Sequence, residues 1–234
     1  MKIIRLLAFA ALLPLPAVAA PIVTTEFDAG AVNPSGFFDF DNIMGNVSTD
    51  IANGITPSLV GSINPSSSIT NLTNGPAQTS ITGNIAESTT ADNNTIARYI
   101  VDLGDSFEIA MVNTFSAHDG ARAAQSYNLY AALSPSNTAP SLAIDPTTVG
   151  WSFITDVATA SNGDGKWGVN ITDDSGSLGT YRYWMIEVRQ APGAGMLRTN
   201  YGEWDIIQVP EPGTATLLAV ASAAMLVLKR RRRR

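Results

Sequence analysis

The stretch RYIVDLGDSFEIAMVNTF, residues 98–115, carries the clearest strand pattern in this 234-residue chain. Its first seven residues predict a strand that ends in a turn at Gly104, because glycine accepts the backbone conformations that tight turns require. A second strand is predicted from Phe107 onward, with Phe107, Ile109 and Met111 on one face. Two strands in close succession place this stretch in a β domain.

The pattern of short strands continues to the end of the body. Gly, Pro, Asn and Asp separate these runs, and no long helical periodicity is present, which is typical of an all-β sandwich. We therefore predict one antiparallel jelly-roll β-sandwich domain over residues 20–208, with shorter strands and longer loops in residues 21–97. The further predicted strands are 125–133, 151–157, 166–171, 180–189 and 201–208.

The formal net charge of −6 is a sum over unlike parts of the chain. Residues 21–210 contain six cations and nineteen acids, a net charge of −13, whereas residues 229–234 are all basic. The few cations of the body are scattered, and phosphate contacts require clustered Lys and Arg. The sequence therefore predicts no nucleic-acid partner.

The chain has no cysteine and a single histidine, His118. These counts exclude disulfide frameworks, thiolate metal sites, iron–sulfur clusters, cysteine nucleophiles and multi-histidine metal sites. A Ser-His-Asp triad would have to use His118, and the sequence has no Gly-x-Ser-x-Gly motif. No pair of acids stands out as the carboxylate pair of a glycosidase. The chain is therefore predicted not to be an enzyme.

Residues 1–19 have the three parts of a secretory signal peptide. Two basic residues open the segment, residues 6–13 form an uncharged apolar core, and residues 17–19 read Ala-Val-Ala, a small-x-small cleavage site. We expect cleavage after residue 19, because a cut one residue later would leave proline first. The alternative, a retained anchor, would need a longer apolar run to cross about 30 Å of hydrocarbon.

Residues 209–234, VPEPGTATLLAVASAAMLVLKRRRRR, combine three signals in a fixed order. Pro210, Glu211 and Pro212 are expected to be extended and accessible, because proline disfavours both helix and sheet pairing. Residues 213–228 predict one hydrophobic helix of about 24 Å that inserts into the membrane, and the basic cluster after it should stay cytoplasmic. A basic amphipathic tail is the alternative, but this segment has no polar face.

These three parts together resemble the PEP-CTERM protein-sorting domain of Gram-negative bacteria. The resemblance implies recognition by an exosortase, a membrane transpeptidase-like enzyme that would cleave near the motif and release or transfer the body to the cell surface. In that family the system accompanies extracellular polysaccharide and biofilm matrix. The implied partners during export are signal peptidase and exosortase. The implied location is outside the cytoplasmic membrane, anchored as a precursor and then at the cell surface or extracellular.

A second resemblance covers residues 69–208. The pieces YIVDLG, AHDGARAAQSYNLYAAL, WSFI, LGTYRYWMIEV and YGEWDII follow one another as in the discoidin or galactose-binding-like family. That family includes coagulation factor 5/8 C-type domains and related carbohydrate-binding modules. The resemblance implies an eight-stranded antiparallel jelly roll, in which residues 21–68 precede the match or supply its first strand.

Many carbohydrate-binding members of that family hold a structural Ca²⁺, and the resemblance implies where its ligands lie. The matching pieces are the loop 72–75, where Asn74 replaces the usual aspartate, and Glu203 on the last strand. Ca²⁺ prefers about six to eight oxygen ligands, and the exchange at Asn74 removes one negative charge. Asp92 and Asp102 are the candidates to replace that charge. In the alternative interpretation, Glu203 is a hydrogen-bonded acid at a strand end.

The resemblance also implies a carbohydrate site in loops at one end of the sandwich, where aromatic faces stack on sugar and Arg or Asn bond its hydroxyls. His118 and Arg122 are the candidate ligands in the matching loop. Alternatively, His118 is a satisfied loop residue and Arg122 pairs with Asp119 or a buried acid. Trp167, beside a glycine-rich turn, is the third candidate and the one tryptophan expected to be exposed. Those expected in the core are Trp151, Trp184 and Trp204.

The sequence as a whole predicts an exported, non-catalytic surface protein with a signal peptide, a β-sandwich body and a sorting segment. The leading hypothesis is weak glycan binding within an exopolysaccharide matrix, and the negative body favours a neutral over an acidic polysaccharide. The first alternative is a structural or adhesion protein with no carbohydrate site. The second is a degenerate hydrolase accessory domain.

Overall fold

A computed structural model of the chain describes residues 20–30, 32–45, 48–61, 68–77, 86–87, 97–118, 120–134, 141–160, 162–189 and 199–211. The strands in these ranges are β1 (Ile22–Ala29), β2 (Ser58–Val60), β3 (Ala86–Glu87), β4 (Ala97–His118), β5 (Ser126–Ala132), β6 (Ser152–Ala158), β7 (Gly165–Thr172), β8 (Gly179–Val188) and β9 (Asn200–Gln208). Three short 3₁₀ helices span Ile69–Leu72, Gly120–Ala123 and Pro146–Val149. None of the helices in these ranges has the length and apolar character needed to cross a membrane.

The long strand β4 organises the fold, because it pairs along both of its edges. Its first half lies between β8 and β2, and its second half lies between β7 and β9. Two sheets therefore share β4. The first sheet has the order β6-β5-β8-β4-β2, and the second has the order β1-β7-β4-β9-β3. Every pairing is antiparallel, which confirms the predicted all-β, antiparallel class.

The predicted break at Gly104 is wrong, because β4 is one continuous strand of 22 residues. What lies there is a register shift against β8 between Asp102 and Phe107, with Gly104 at φ +81°. Glycine accommodates this left-handed conformation without the steric cost that a Cβ would add. The strands β5 to β9 each lie within one or two residues of their predicted bounds.

The main core lies between the two sheets and is rich in aromatic rings. Tyr99 of the first sheet meets Trp204 of the second edge to face, with ring centroids 5.8 Å apart. Tyr127 and Tyr201 meet in the same way at 6.1 Å. Full burial of a large apolar side chain contributes about 1.5–3 kcal/mol. The three tryptophans predicted to be in a core are confirmed as buried: Trp184 and Trp204 lie in this core at 1% and 2% exposed, and Trp151 lies in a separate apolar cluster at 3% exposed.

The outer face of the second sheet is covered by a segment that precedes the predicted family match. Phe38, Phe40 and Ile43 pack there against Phe115 of β4. Residues 21–68, which the sequence left undefined, thus supply β1, β2 and this cover. Because residues in register share a face, the β9 residues opposite Phe115 and Asn113 also lie on this outer face, and they are Glu203 and Asp205.

Candidate functional site

Three carboxylates converge on the outer face of the second sheet. Glu203 and Asp205 are two positions apart on β9, so their side chains leave the same face of the strand, opposite to the core residue Trp204. Asp50 reaches them from the segment before β2, where it forms an isolated β-bridge with Ile207. One carboxylate oxygen from each residue lies within 4.8 Å of the oxygens of the other two.

The two β9 carboxylates are buried with few hydrogen bonds. Glu203 is 0% exposed and Asp205 is 1% exposed. One Glu203 oxygen, Oε2, accepts the backbone N–H of Gly75 at 2.9 Å, and the backbone N–H of Asn74 also donates to this carboxylate. In the described part of the chain, Glu203 Oε1 and both Asp205 oxygens have no hydrogen-bond partner. Such orphaned buried groups cost about 1–3 kcal/mol each.

Asp50 is the member of the cluster that backbone groups hold in place. Its Oδ1 accepts the N–H of Ala52 at 2.9 Å and the N–H of Ile206 at 2.8 Å. The N–H of Ile51 donates in turn to the carbonyl of Ile206 at 2.9 Å. These bonds fix the Asp50 carboxylate against β9 in one orientation.

Burial shifts the pKa of all three groups upward, and repulsion from neighbouring carboxylates adds to the shift of Glu203 and Asp205. Desolvation, then the charges of Asp205 and Asp50, raise the pKa of Glu203 to about 9 despite its backbone hydrogen bonds. Desolvation and the charge of Asp50 raise the pKa of Asp205 to about 8. Desolvation also raises the pKa of Asp50, against the effect of its two backbone donors. None of these causes is a cationic side chain, so no cation among the described residues compensates the cluster.

The cluster fits a hard divalent cation. Ca²⁺ takes about six to eight oxygen ligands at ~2.3–2.6 Å, so two oxygens on opposite sides of the ion are about 4.8 Å apart. The carboxylate oxygens lie within that distance of one another, and three of them lack donors. A bound cation would also offset the repulsion that raises the pKa values. Asp50, Glu203 and Asp205 are the residues that would hold it.

The predicted metal pair, Asn74 and Glu203, comes together in the structure through the backbone of Asn74. The Asn74 side-chain amide donates to Asn71 Oδ1 at 3.3 Å. Asp102, one of the two predicted replacements, instead pairs with Arg182 at 2.6 Å. The other, Asp92, lies outside the described residues.

Sequence reasoning missed Asp50 and Asp205. For Asp205 a signal existed, because Glu203 and Asp205 repeat at the strand period on the parity opposite to Trp204 and Ile206. No local pattern marks Asp50, which follows a run of Ser, Thr and Asn in a segment with weak alternation.

The predicted carbohydrate ligands lie near the end of β4, but two of them are buried. His118 is 7% exposed and Trp167 is 8% exposed, while Arg122 is half-buried on the adjoining 3₁₀ helix. The expectation that Trp167 is exposed is wrong, because the Phe27 ring of β1 packs against it with centroids 5.1 Å apart. Asp119, the alternative partner of Arg122, is not among the described residues.

An open cavity of about 310 Å³ lies between β1 and the segment 39–41. Lys166 lies at its edge, with Nζ 3.0 Å from Asp28 and 5.8 Å from the centroid of the Phe40 ring. The cavity thus combines carboxylate acceptors with aromatic carbon. Its lining residues are Glu26, Phe27, Asp28, Asp39, Phe40 and Asp41.

The start of the sorting motif follows β9 directly. The N–H of Val209 donates to the carbonyl of Glu108 at 2.8 Å, and Pro210 and Glu211 then continue as exposed chain without regular structure. Three predicted features lie outside the described residues: Pro212, the hydrophobic helix 213–228 and the signal peptide 1–19.

Comparisons with known proteins give structural neighbours. No protein-family model matches the chain, and no curated protein sequence matches it. One similar solved structure is the lectin domain of lectinolysin complexed with Lewis B antigen, with 15% identity, a TM-score of 0.46, and 70% of this chain and 99% of that chain covered. Another is the family 32 carbohydrate-binding module of NanJ from C. perfringens in complex with galactose, with 13% identity, a TM-score of 0.46, and coverage of 68% and 97%.

A third neighbour is chitosan-binding module 1 of a chitosanase/glucanase from Paenibacillus sp. IK-5. Its identity is 13%, its TM-score is 0.45, and the match covers 67% of this chain and 97% of that chain. These neighbours are carbohydrate-binding modules, and at such identities and TM-scores the likeness does not extend to a ligand.

Proposed function

We propose that the chain is an exported, non-catalytic binding module with the jelly-roll fold of the galactose-binding-like family. The module holds one structural Ca²⁺ and binds a neutral polysaccharide at the cell surface. The signal peptide and the PEP-CTERM segment direct export and sorting by signal peptidase and exosortase. The body then has a binding role in an exopolysaccharide matrix and catalyses no reaction.

The observation that carries the binding function is the cavity between β1 and the segment 39–41. The exposed carboxylates of Asp39 and Asp41 can accept hydrogen bonds from sugar hydroxyls, and the half-buried Phe27 ring can contact the C–H face of a sugar. The same carboxylates repel an acidic glycan, as does the net charge of the body. A neutral glycan therefore fits the cavity best.

The structural Ca²⁺ is supported by Glu203 and Asp205, because their orphaned oxygens require a partner. A cation bound there supplies charge neutralisation and fixes the outer face of the second sheet. Binding to the folded state raises the free energy of unfolding in proportion to the logarithm of ligand concentration over Kd. The metal thus acts on stability and takes no part in a reaction.

Polysaccharide retention tests the binding function. The full chain, purified in mild detergent with Ca²⁺ present, is passed over a neutral glucan, a neutral galactan and an acidic alginate. We expect retention on a neutral polymer, weakening by about tenfold in the double variant Asp39→Asn/Asp41→Asn, and none on alginate. Asp173→Asn, at an exposed turn where the carboxylate accepts the Ser175 N–H, is the matched control.

Other outcomes separate the alternatives. Loss of retention in Arg122→Ala, with the double variant unaffected, would move the site to the loop predicted from the sequence. No retention on any polysaccharide, with or without Ca²⁺, would reject glycan binding and favour a structural or adhesion protein.

Processing tests the sorting proposal separately. Glu211 is exposed directly after β9, so Glu211→Gln leaves the fold intact and removes the acid of the motif. We expect the variant to accumulate as membrane-bound precursor in the native host. Surface release at the unaltered rate would count against exosortase processing.

A further inference from the structure

The segment 48–55, called the cap segment below, lies over the acidic cluster and connects it to two other parts of the fold. Toward β9 it is held by the bonds of Asp50 and Ile51 to Ile206. Toward the loop 72–75 it is held by the Gly54 N–H, which donates to the Thr73 carbonyl at 2.6 Å. The cap segment therefore closes the outer face at the carboxylates.

Strand pairing fastens the cap segment less than it fastens β9, although the cap segment also packs against the core. Ala52 is 0% exposed, and Ile51 and Ile55 pack against the core. Within the described ranges, its only β pairing is the single bridge between Asp50 and Ile207. In contrast, β9 pairs with β4 at seven register positions and places Trp204 in the core. Segments with little strand pairing open at a lower free energy than core strands, so we expect the cap segment to open before β9 does.

Charge opposes the closure of the cap segment. Closing it brings the Asp50 carboxylate within 4.8 Å of Glu203 and Asp205, both buried. Ionised carboxylates at such distances in a partly desolvated site repel one another, and without a cation this repulsion is relieved by protons or by separation. An oxygen-preferring cation between the three groups turns this repulsion into attraction.

We infer that Asp50 makes the cap segment a cation-operated clamp, which a divalent cation held by Asp50, Glu203 and Asp205 closes onto β9. This inference rests on the proposed Ca²⁺ site and adds what the ion controls. The clamp joins an early segment of the chain to its last strand, between residues 156 positions apart. A Ca²⁺-poor compartment leaves the cap segment open, and a Ca²⁺-rich exterior closes it.

Hydrogen–deuterium exchange with mass spectrometry tests the clamp on the full chain in mild detergent. Samples in EDTA, 1 mM Mg²⁺ and 1 mM Ca²⁺ are compared, and calorimetric titration measures Ca²⁺ binding in parallel. We expect Ca²⁺ to slow exchange at least tenfold in peptides covering 48–55 and 72–75. Peptides of β5, residues 126–132, should be unchanged because they lie in the other sheet.

Asp50→Asn is the decisive variant, because the amide oxygen can still accept the Ala52 and Ile206 N–H groups while the charge is removed. We expect it to keep residual Ca²⁺ binding through β9 but to lose the slowed exchange at 48–55. Asp173→Asn, with the same change of charge at an exposed turn, should behave as the wild type. If Asp50→Asn does not fold, Asp205→Asn replaces it, and its exchange at 48–55 should be equal with Ca²⁺ and EDTA.

Different negative results would contradict the clamp alone or the Ca²⁺ site as well. Ca²⁺ binding with unchanged exchange at 48–55 overturns the clamp and leaves the Ca²⁺ site standing. Slowed exchange of equal size in β5 also overturns it, because the ion would then stabilise the whole fold. Absence of Ca²⁺ binding overturns both the clamp and the proposed Ca²⁺ site.

Discussion

Two buried glutamates on the outer faces of the two sheets differ in how their charge is compensated. Glu187 of β8 receives Arg98 Nη2 at 2.6 Å and Nε at 2.9 Å on one oxygen. Its other oxygen receives Arg189 at 2.7 Å and Asn128 at 3.3 Å. Glu203 of β9 receives only backbone N–H groups from 74–75 and faces two more acids. Among the described residues, side chains thus supply counter-charge to the first glutamate and none to the second.

Burial alone therefore does not make a carboxylate a metal site. Arg98 is 2% exposed and also donates to the carbonyls of Ser141 and Ile144, so its ion pair fastens the segment before β6. Around Glu187 every charge has a protein partner, which leaves no role for a ligand. Around Glu203 the orphaned oxygens are the feature that indicates one.

Removing the arginine that compensates the charge of Glu187 should have the largest effect on the free energy of unfolding. Arg98→Met leaves Glu187 buried beside a single half-exposed arginine, and removal of one partner of a buried ion pair costs about 3–5 kcal/mol. Urea denaturation followed by tryptophan fluorescence measures the loss, with Ca²⁺ present throughout. A loss below about 1 kcal/mol would show that Glu187 does not depend on Arg98.

Removing the external ion should have the next largest effect. At a Ca²⁺ concentration of 100 times Kd, binding to the folded state adds about 2.7 kcal/mol to the free energy of unfolding. Thermal melts in Ca²⁺ and in EDTA should therefore differ for the wild type and for Asp173→Asn. They should coincide for Glu203→Gln. Identical wild-type melting temperatures would reject a tight site at Glu203.

Without Ca²⁺, the stability of the fold should depend on pH because Glu203 and Asp205 have no compensating cation among the described residues. The pKa of Glu203 is about 9 and that of Asp205 about 8 in the folded chain, against about 4 in an unfolded one. The folded state therefore binds more protons between these values. The contribution of these two groups to stability in EDTA is full below about pH 4 and should be lost as the pH rises toward about 9.

Urea midpoints at pH 5, 7 and 9 measure this fall. Ca²⁺ should reduce it, because the ion favours the ionised carboxylates. Stability in EDTA that stays constant or rises from pH 5 to 9 would contradict the raised pKa values.

The smallest effect is expected at the exposed ion pair of Asp102 and Arg182. Their side chains are 45% and 37% exposed, so water screens the pair and its loss frees two long side chains. Asp102→Asn should shift Tm by less than about 2 °C. A shift as large as that of Arg98→Met would mean that burial does not determine how much each of the two ion pairs contributes to stability.

The sequence predicted the strands from β5 to β9 because a strand is a local pattern with a period of two residues. It failed at Gly104, because whether a glycine ends a strand or shifts its register depends on the neighbouring strand β8. It failed at Trp167 for a similar reason, because the ring that covers it, Phe27, lies 140 residues earlier on β1. Both errors concern contacts between elements rather than the elements themselves.

The residue pattern alone established the all-β class and the charge of the body, which follow from composition and from alternation within single strands. One acid of the candidate site, Glu203, was predicted through the resemblance to the galactose-binding-like family. Only the tertiary structure decided that Asp50 joins Glu203 and Asp205, and that an open cavity lies beside β1. Such meetings depend on which strands pair and which segment covers which face, and no local pattern encodes a partner more than 150 positions away.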